Sequence, residues 1–128
     1  MPRSLDDLHV HIKRIIGDTS WIITENGKTV VGDIGVYFKK GNETGEIAFY
    51  IDPQYWRMGY ATEAALTVID YMFNVLNFTT LTALVDCDNI PSCKLIEKLG
   101  FTLDCIKKDS DLHGKKADVC HYSICRKK

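Results

Sequence analysis

The sequence predicts one α+β domain built on a mixed, mostly antiparallel sheet. Three observations carry that prediction. Short β-branched and aromatic segments are separated by Gly- and Asn-containing turns, one long amphipathic stretch sits mid-chain, and a strand–helix–strand order surrounds it. The 128 residues are enough for one domain with a real core. Over 1–128 there is no repeat, low-complexity tract or linker at which to divide the chain.

Taken in order, residues 5–16 read as an amphipathic helix, with Leu5, Leu8, Ile12, Ile15 and Ile16 at helical spacing behind a Ser4 cap and early acids. "SWIITE" (20–25) and "KTVVGDIGVYF" (28–38) read as strands joined by Asn26-Gly27, a strong hairpin signal. "KKGNETG" is a second turn, and "EIAFYI" (46–51) is a third strand stopped by Asp52-Pro53. From Ala61 to about Leu76 the pattern is helical, with Ala65, Val68, Ile69, Met72, Val75 and Leu76 in one apolar stripe. "TTLTALVD" (79–86) is nearly continuous in apolar and β-branched residues, as suits a strand buried within a sheet. A short helix follows over 91–99, with Asn89 as cap and Gly100 as stop. "FTLDCI" and "DVCHYSI" close the chain as strands around a His113-Gly114 turn. The strand–helix–strand unit makes "EIAFYI" and "TALVD" roughly parallel.

Composition excludes several classes. The chain is 45% hydrophobic and 26% charged with a formal net charge of −1, which gives no basic surface for non-specific nucleic-acid binding. The "RKK" end and the Lys107-Lys108 pair are short and read as solvated surface charge. No apolar run approaches the roughly 18 residues of a membrane span, and the N-terminus lacks the apolar core of a signal peptide. A cytoplasmic protein with no membrane partner is expected. Cys87, Cys93, Cys105, Cys120 and Cys125 include no C-x-x-C pair and lie in or beside apolar segments, so they read as small, reduced hydrophobes. Metal binding by Cys120, His121 and Cys125 is disfavoured, because in a strand Cys120 and His121 point to opposite faces. No metal is expected.

The chemistry concentrates in "DPQYWRMGYATEA", between the third strand and the long helix. Ligands of such crossover units favour the carboxyl ends of the strands, where this stretch falls. A helix N-terminus leaves about four backbone N–H groups unpaired and carries partial positive charge, so it binds anions, phosphate above all. Gly59 lets a diphosphate approach the main chain without meeting a β-carbon, Ala61 keeps the next turn small, and Arg57 and the Thr62 hydroxyl add charge and donors. The stretch reads as a pyrophosphate cradle, with a plain pre-helix loop as the competing reading. It is neither a Walker loop nor a dinucleotide fingerprint.

A second block, "DNIPSCKLIEKLGF", follows one strand later. The pair of blocks resembles the GNAT superfamily of acyl-CoA-dependent N-acetyltransferases, from about residue 20 to the end, and within it the branch that acetylates ribosomal-protein N-termini. The family's phosphate motif, Q/R-x-x-G-x-G/A, aligns with Trp56-Arg57-Met58-Gly59-Tyr60-Ala61. The resemblance implies a GNAT-like central sheet with helices on both faces and acetyl-CoA as acyl donor. It implies that Phe49, Tyr50 and Ile51 line the pantetheine arm with backbone groups, and that the main-chain N–H groups of Arg57, Met58, Gly59, Tyr60, Ala61 and Thr62 hold the pyrophosphate. It also implies that Asn89 faces the cofactor arm, with Ser92, Cys93 and Lys94 flanking the thioester and adenosine ends. Asn89 is equally a helix cap, and Lys94 is more often a solvated helix lysine than a phosphate ligand. Three departures stand out: Trp56 replaces the usual Gln or Arg, Ile96 occupies the position of a tyrosine common in the superfamily, and the branch's first strand and helix are lacking.

The implied function is acetyl transfer from acetyl-CoA to a primary amine, a protein N-terminus or a small-molecule amine, by direct attack on the thioester. The alternative is a non-catalytic acyl-CoA-binding or partner-binding domain of the same fold. An alkyl ammonium has a pKa near ~10.4 and must lose a proton before attack. Glu46, opening the strand that passes the acetyl group, is the candidate base. Ser92 is the candidate acid for the departing thiolate. Backbone N–H groups of "AFYI" would polarise the thioester carbonyl, each worth roughly 3 kcal/mol. A missing first strand would leave "SWIITE" an unprotected edge, so a homodimer that covers it is expected, with a helix over 5–16 folded across that edge as the competing reading.

Overall fold

A computed structural model describes residues 10–14, 20–25, 27–39, 43–56, 58–112 and 114–126. Among the described residues, seven strands and two α-helices follow in the order β1 (Val10–Arg14), β2 (Ser20–Glu25), β3 (Thr29–Phe38), β4 (Thr44–Ile51), α1 (Tyr60–Asn74), β5 (Thr80–Asp86), α2 (Ile90–Lys98), β6 (Thr102–Leu112) and β7 (Lys115–Cys125). They form one sheet of order β1-β2-β3-β4-β5-β7-β6, in which only the β4–β5 pair is parallel. This is the mixed, mostly antiparallel α+β arrangement that the sequence predicts.

The N-terminal expectation is corrected. Residues 10–14, read as the middle of a helix over 5–16, form β1 and pair with β2 from Val10↔Glu25 to Arg14↔Trp21. The rest of the expected helix lies outside the described residues. The sequence "VHIKR" alternates with period 2 as readily as with period 3.6, and β2 offers a row of backbone groups that need partners. Tertiary pairing outweighs the weak helical periodicity. The same pairing removes the exposed β2 edge and, with it, the reason to expect a second chain there.

Strand pairing sorts side chains onto two faces, because directly opposed residues point the same way. Trp21↔Ile34, Val36↔Ile47, Gly45↔Leu81 and Ala83↔Tyr122 put one apolar row on a single face. Helix α1 lays Ala64, Ala65, Val68, Met72 and Phe73 on that face, and α2 adds Cys93 and Ile96 to the same core. Met72 is completely buried, so Met72→Ala is expected to cost about 2–5 kcal/mol. Both described helices thus share one face, whereas helices on both faces were expected. The helix assigned to residues 5–16 has no counterpart at 10–14, where the chain pairs within the sheet.

Local signals explain the element ends. Gly27, with φ of 74°, turns the β2–β3 hairpin. Gly100 at φ 104° ends α2 as its sequence position suggests. Helix α1 stops at Asn74, so Val75, counted in its apolar stripe, is exposed. Its C-terminal carbonyls gain a donor that the sequence reading missed: Arg126 Nη1 donates to Phe73 O at 3.3 Å and to Asn77 Oδ1 at 3.5 Å. Arg126 was read as surface charge only. A cation at a helix C-terminus satisfies unpaired carbonyls and complements the macrodipole.

Candidate functional site

The site begins where the sheet splits. β4 and β5 pair in register at Thr44↔Thr80, Gly45↔Leu81 and Glu46↔Thr82, and no further. Yet β4 runs on to Ile51 and β5 to Asp86, β4 staying paired with β3 and β5 with β7 on their far sides. Residues 47–51 therefore border a V-shaped gap in the sheet, with backbone polar groups on the β5 side that no strand satisfies. Such groups demand partners. An extended ligand carrying amides would fit between the two strands as an added strand does.

The two helix N-termini differ in the way that matters for a ligand. Helix α2 caps itself: Asn89 Oδ1 accepts from Ser92 N at 3.3 Å. Helix α1 begins after Gly59, which has no side chain to cap with, and its first internal bond is Glu63 N to Gly59 O at 3.0 Å. The N–H groups of Tyr60, Ala61 and Thr62 have no intrahelical acceptor. Gly59 holds φ of 84°, a left-handed conformation that glycine adopts at no steric cost, and a β-carbon placed there would meet nothing within 4 Å. The space in front of these amides is open, as an incoming diphosphate requires.

Three hydrogen bonds aim this helix end. The indole Nε1–H of Trp56 donates to Ile51 O at 2.7 Å, tying the loop to the last residue of β4. A short turn at Pro53–Tyr55 is closed by Asp52, whose carboxylate accepts from Gln54 N at 3.2 Å. Trp56, a departure from the phosphate motif, has a structural task that the sequence reading did not supply. The Tyr60 hydroxyl donates to the Glu25 carboxylate, and this bond, more than burial, raises the Tyr60 pKa. It fastens the first residue of α1 to β2.

The remaining expected site residues divide clearly. Phe49 is half-buried and packed against the core, Tyr50 is exposed on the opposite face, and Ile51 is buried, so all three flank the split through their backbone. Met58 is exposed beside Gly59, and Arg57 lies outside the described residues. Asn89, Ser92 and Lys94 stand at the start of α2 with Asn89 and Lys94 exposed. The Cys93 side chain points inward instead, with Sγ 3.8 Å from Asp86 O. Ile96 is buried in the core. Glu46 closes the apex of the split on the face away from the helices and forms an ion pair with Lys39 at 3.2 Å.

Cys93 and Cys120 are buried and Cys87 half-buried, whereas Cys105 and Cys125 are exposed and not packed in the core as expected. Cys87 and Cys120 are in thiol contact, and burial, reinforced by that contact, pushes the Cys120 thiol up to about 12. Cys120 and His121 occupy opposite faces, in register with Val85 and Leu84. Among the described residues no group of three or more His, Cys, Asp or Glu side chains is placed to hold a metal ion.

The GNAT acetyltransferase domain model matches residues 1–102, most of the chain. The chain belongs to the GNAT acetyltransferase family. It is 31% identical over 108 residues to the uncharacterized N-acetyltransferase p20 of Bacillus licheniformis, covering 83% of this chain and 61% of that one. The spermidine N(1)-acetyltransferase of Escherichia coli (strain K12) is 39% identical over 59 residues, 46% of this chain and 32% of that protein. A GNAT-family acetyltransferase of Bacillus anthracis has the same fold, with a TM-score of 0.79 at 27% identity, covering 87% of this chain and 68% of the other. The chain spans less than two thirds of the length of p20. No helix among the described residues is long and apolar enough to cross a membrane.

Proposed function

We propose that this chain transfers an acetyl group from acetyl-CoA to a primary amine, acting in the cytoplasm as one acyltransferase domain over 1–128. The observation that supports it best is the pairing of the β4–β5 split with an uncapped helix N-terminus at the head of α1. A pantetheine arm carries amides and a diphosphate, and the split and the helix end present complementary groups to both. Acetyl-CoA supplies an activated acyl carbon and a thiolate leaving group. The N–H groups of Met58 to Thr62, with Arg57, hold the diphosphate. Backbone groups of Phe49, Tyr50 and Ile51 hold the arm and fix the thioester against β4.

Glu46 receives the acceptor. Its side chain is 17% exposed and stands at the apex of the split, where the reactive end of an arm laid from Gly59 along β4 would arrive. An ammonium drawn to this carboxylate is placed for deprotonation, and a positioned base contributes typically 10²–10⁴-fold. Ser92, partly exposed in the first turn of α2, protonates the departing sulfur. The resemblance to spermidine N(1)-acetyltransferase makes polyamines the first acceptors to test. Since β1 covers β2, a homodimer would use a surface other than the β2 edge; of the two edge strands, β1 and β6, the longer is β6, with Leu103 and Ile106 exposed.

Hydrogen exchange with and without acetyl-CoA tests the assignment. Protection confined to residues 47–51 and 58–62 supports it, and unchanged exchange in both segments at saturating acetyl-CoA refutes it. Protection without any amine-dependent turnover would favour the non-catalytic binding domain.

A further inference from the structure

Glu46 already holds an ion pair with Lys39, and the proton lost by the ammonium must finally leave the site. A second group that passes it to solvent completes the step. Strand register identifies one. On the face away from the helices, Glu46 lies opposite Thr82, and Thr82 lies opposite Ser123 on β7. One same-face step further along the split come Leu84 on β5 and His121 opposite it on β7. Leu84 is beyond the last β4–β5 pair, so His121 stands one strand away from the open gap, on the face Glu46 occupies. With strands about 4.8 Å apart and about 3.3 Å per residue, the Glu46 and His121 backbones are roughly 12 Å apart, a span for a relay through water in the open gap rather than for direct contact.

Resting on the acetyltransferase reading above, we infer that His121 is the terminal acceptor of the amine proton, relayed from the substrate held at Glu46. In this step the ammonium N–H bond breaks, its electron pair stays on nitrogen, and the proton ends on the imidazole. The freed lone pair then forms the C–N bond to the thioester carbon, the C–S bond breaks toward sulfur, and the second proton lost by the nitrogen balances the one that Ser92 gives the departing thiolate. His121 releases its proton to solvent from the open face before the next turnover. His121 does not touch the thioester; it is a relay residue.

The surroundings keep the imidazole neutral and ready. Burial, then the ammonium groups of Lys107 on β6 and Lys39 after β3, hold its pKa below 6.5, while Glu46 and Asp104 oppose them more weakly. Cys105, in register with His121 on β6, is the remaining titratable neighbour across that pair. Strand register puts Glu46 and His121 on the same face across β5. A base of this kind is free to accept a proton at neutral pH.

Steady-state kinetics with spermidine and acetyl-CoA test the relay on the full chain. For His121→Gln we expect a drop in kcat of about 10- to 100-fold with the KM for acetyl-CoA unchanged, and loss of the acid limb of the kcat profile. Added imidazole should restore part of kcat to His121→Ala, which a purely structural role would not allow. A His121→Gln enzyme with the parent's kcat and pH profile overturns the relay while leaving the acetyltransferase reading intact. Absence of turnover by the parent with any amine overturns both. Independently of any variant, an NMR titration of the parent must show His121 neutral at pH 7; an imidazolium there also overturns the relay.

Discussion

Trp56 and Ile51 are joined by a 2.7 Å hydrogen bond from the indole N–H to the backbone carbonyl, and this bond couples the two halves of the proposed binding site. One end of it is the last residue of the splayed strand; the other is four residues before Tyr60, where the uncapped helix begins. If the coupling sets the aim of the α1 amides, Trp56→Phe keeps the ring and loses the aim. Folding stability should fall by about 1 kcal/mol, the net worth of one hydrogen bond. Affinity for acetyl-CoA, followed by calorimetry, should fall more than tenfold. Equal loss of affinity for all ligands together with a large loss of folding stability would point to general damage instead.

Gly59 separates two effects that usually mix. Its φ of 84° predicts that Gly59→Ala loses about 1–2 kcal/mol of stability from backbone strain alone, since a β-carbon meets no neighbour. Gly59→Glu adds a like charge in front of the diphosphate and should abolish acetyl-CoA binding in a folded protein. Thermal melts paired with calorimetry distinguish the two. Unchanged affinity in a folded Gly59→Glu protein removes the cradle.

Much of this site was legible in the sequence because its determinants are local. Gly59, Asn89 and Gly100 are read from turn and cap chemistry that involves only a few neighbouring residues, and all three sit where that chemistry places them. What escaped is long-range. The Tyr60–Glu25 bond spans 35 residues and the Arg126–Phe73 bond 53, and no window on the sequence contains either. Residues 10–14 failed for a related reason: five residues of mixed periodicity take the structure their neighbour offers, and β2 offered an edge.

Glu46→Gln should lower turnover on the order of 100-fold or more while changing acetyl-CoA affinity little. The lost ion pair with Lys39 is partly exposed and worth at most about 1 kcal/mol, so the variant should remain folded. Parent-like activity for Glu46→Gln across pH 6–9 removes Glu46 from the acceptor site.

Stability should depend on pH through His121 with a definite sign. The folded state holds its pKa below 6.5, so the unfolded chain binds the proton first as pH falls. The contribution is complete above about pH 6.5 and is lost as pH drops through the lower, folded value. Melting temperatures from pH 7.5 to 5 should fall in the parent and fall less in His121→Asn. The opposite ordering contradicts the assigned burial.

The cysteines should sort by exposure. Cys105 and Cys125 are exposed, whereas Cys120 is buried with its thiol pushed up to about 12. Alkylation at pH 8 followed by mass spectrometry should label the first two rapidly and Cys120 only after unfolding, because the thiolate is the reactive form. Rapid native labelling of Cys120 would overturn its placement in the core.

Amine-dependent release of the CoA thiol from acetyl-CoA tests the central claim most directly. Supplied with spermidine, other polyamines, amino sugars and N-terminal peptides, the purified chain should release thiol in proportion to acetylated amine for at least one acceptor class. Glu46→Gln should reduce that release, and Gly59→Glu should abolish it. Release at the same rate with and without amine, or in both variants as in the parent, would contradict the account.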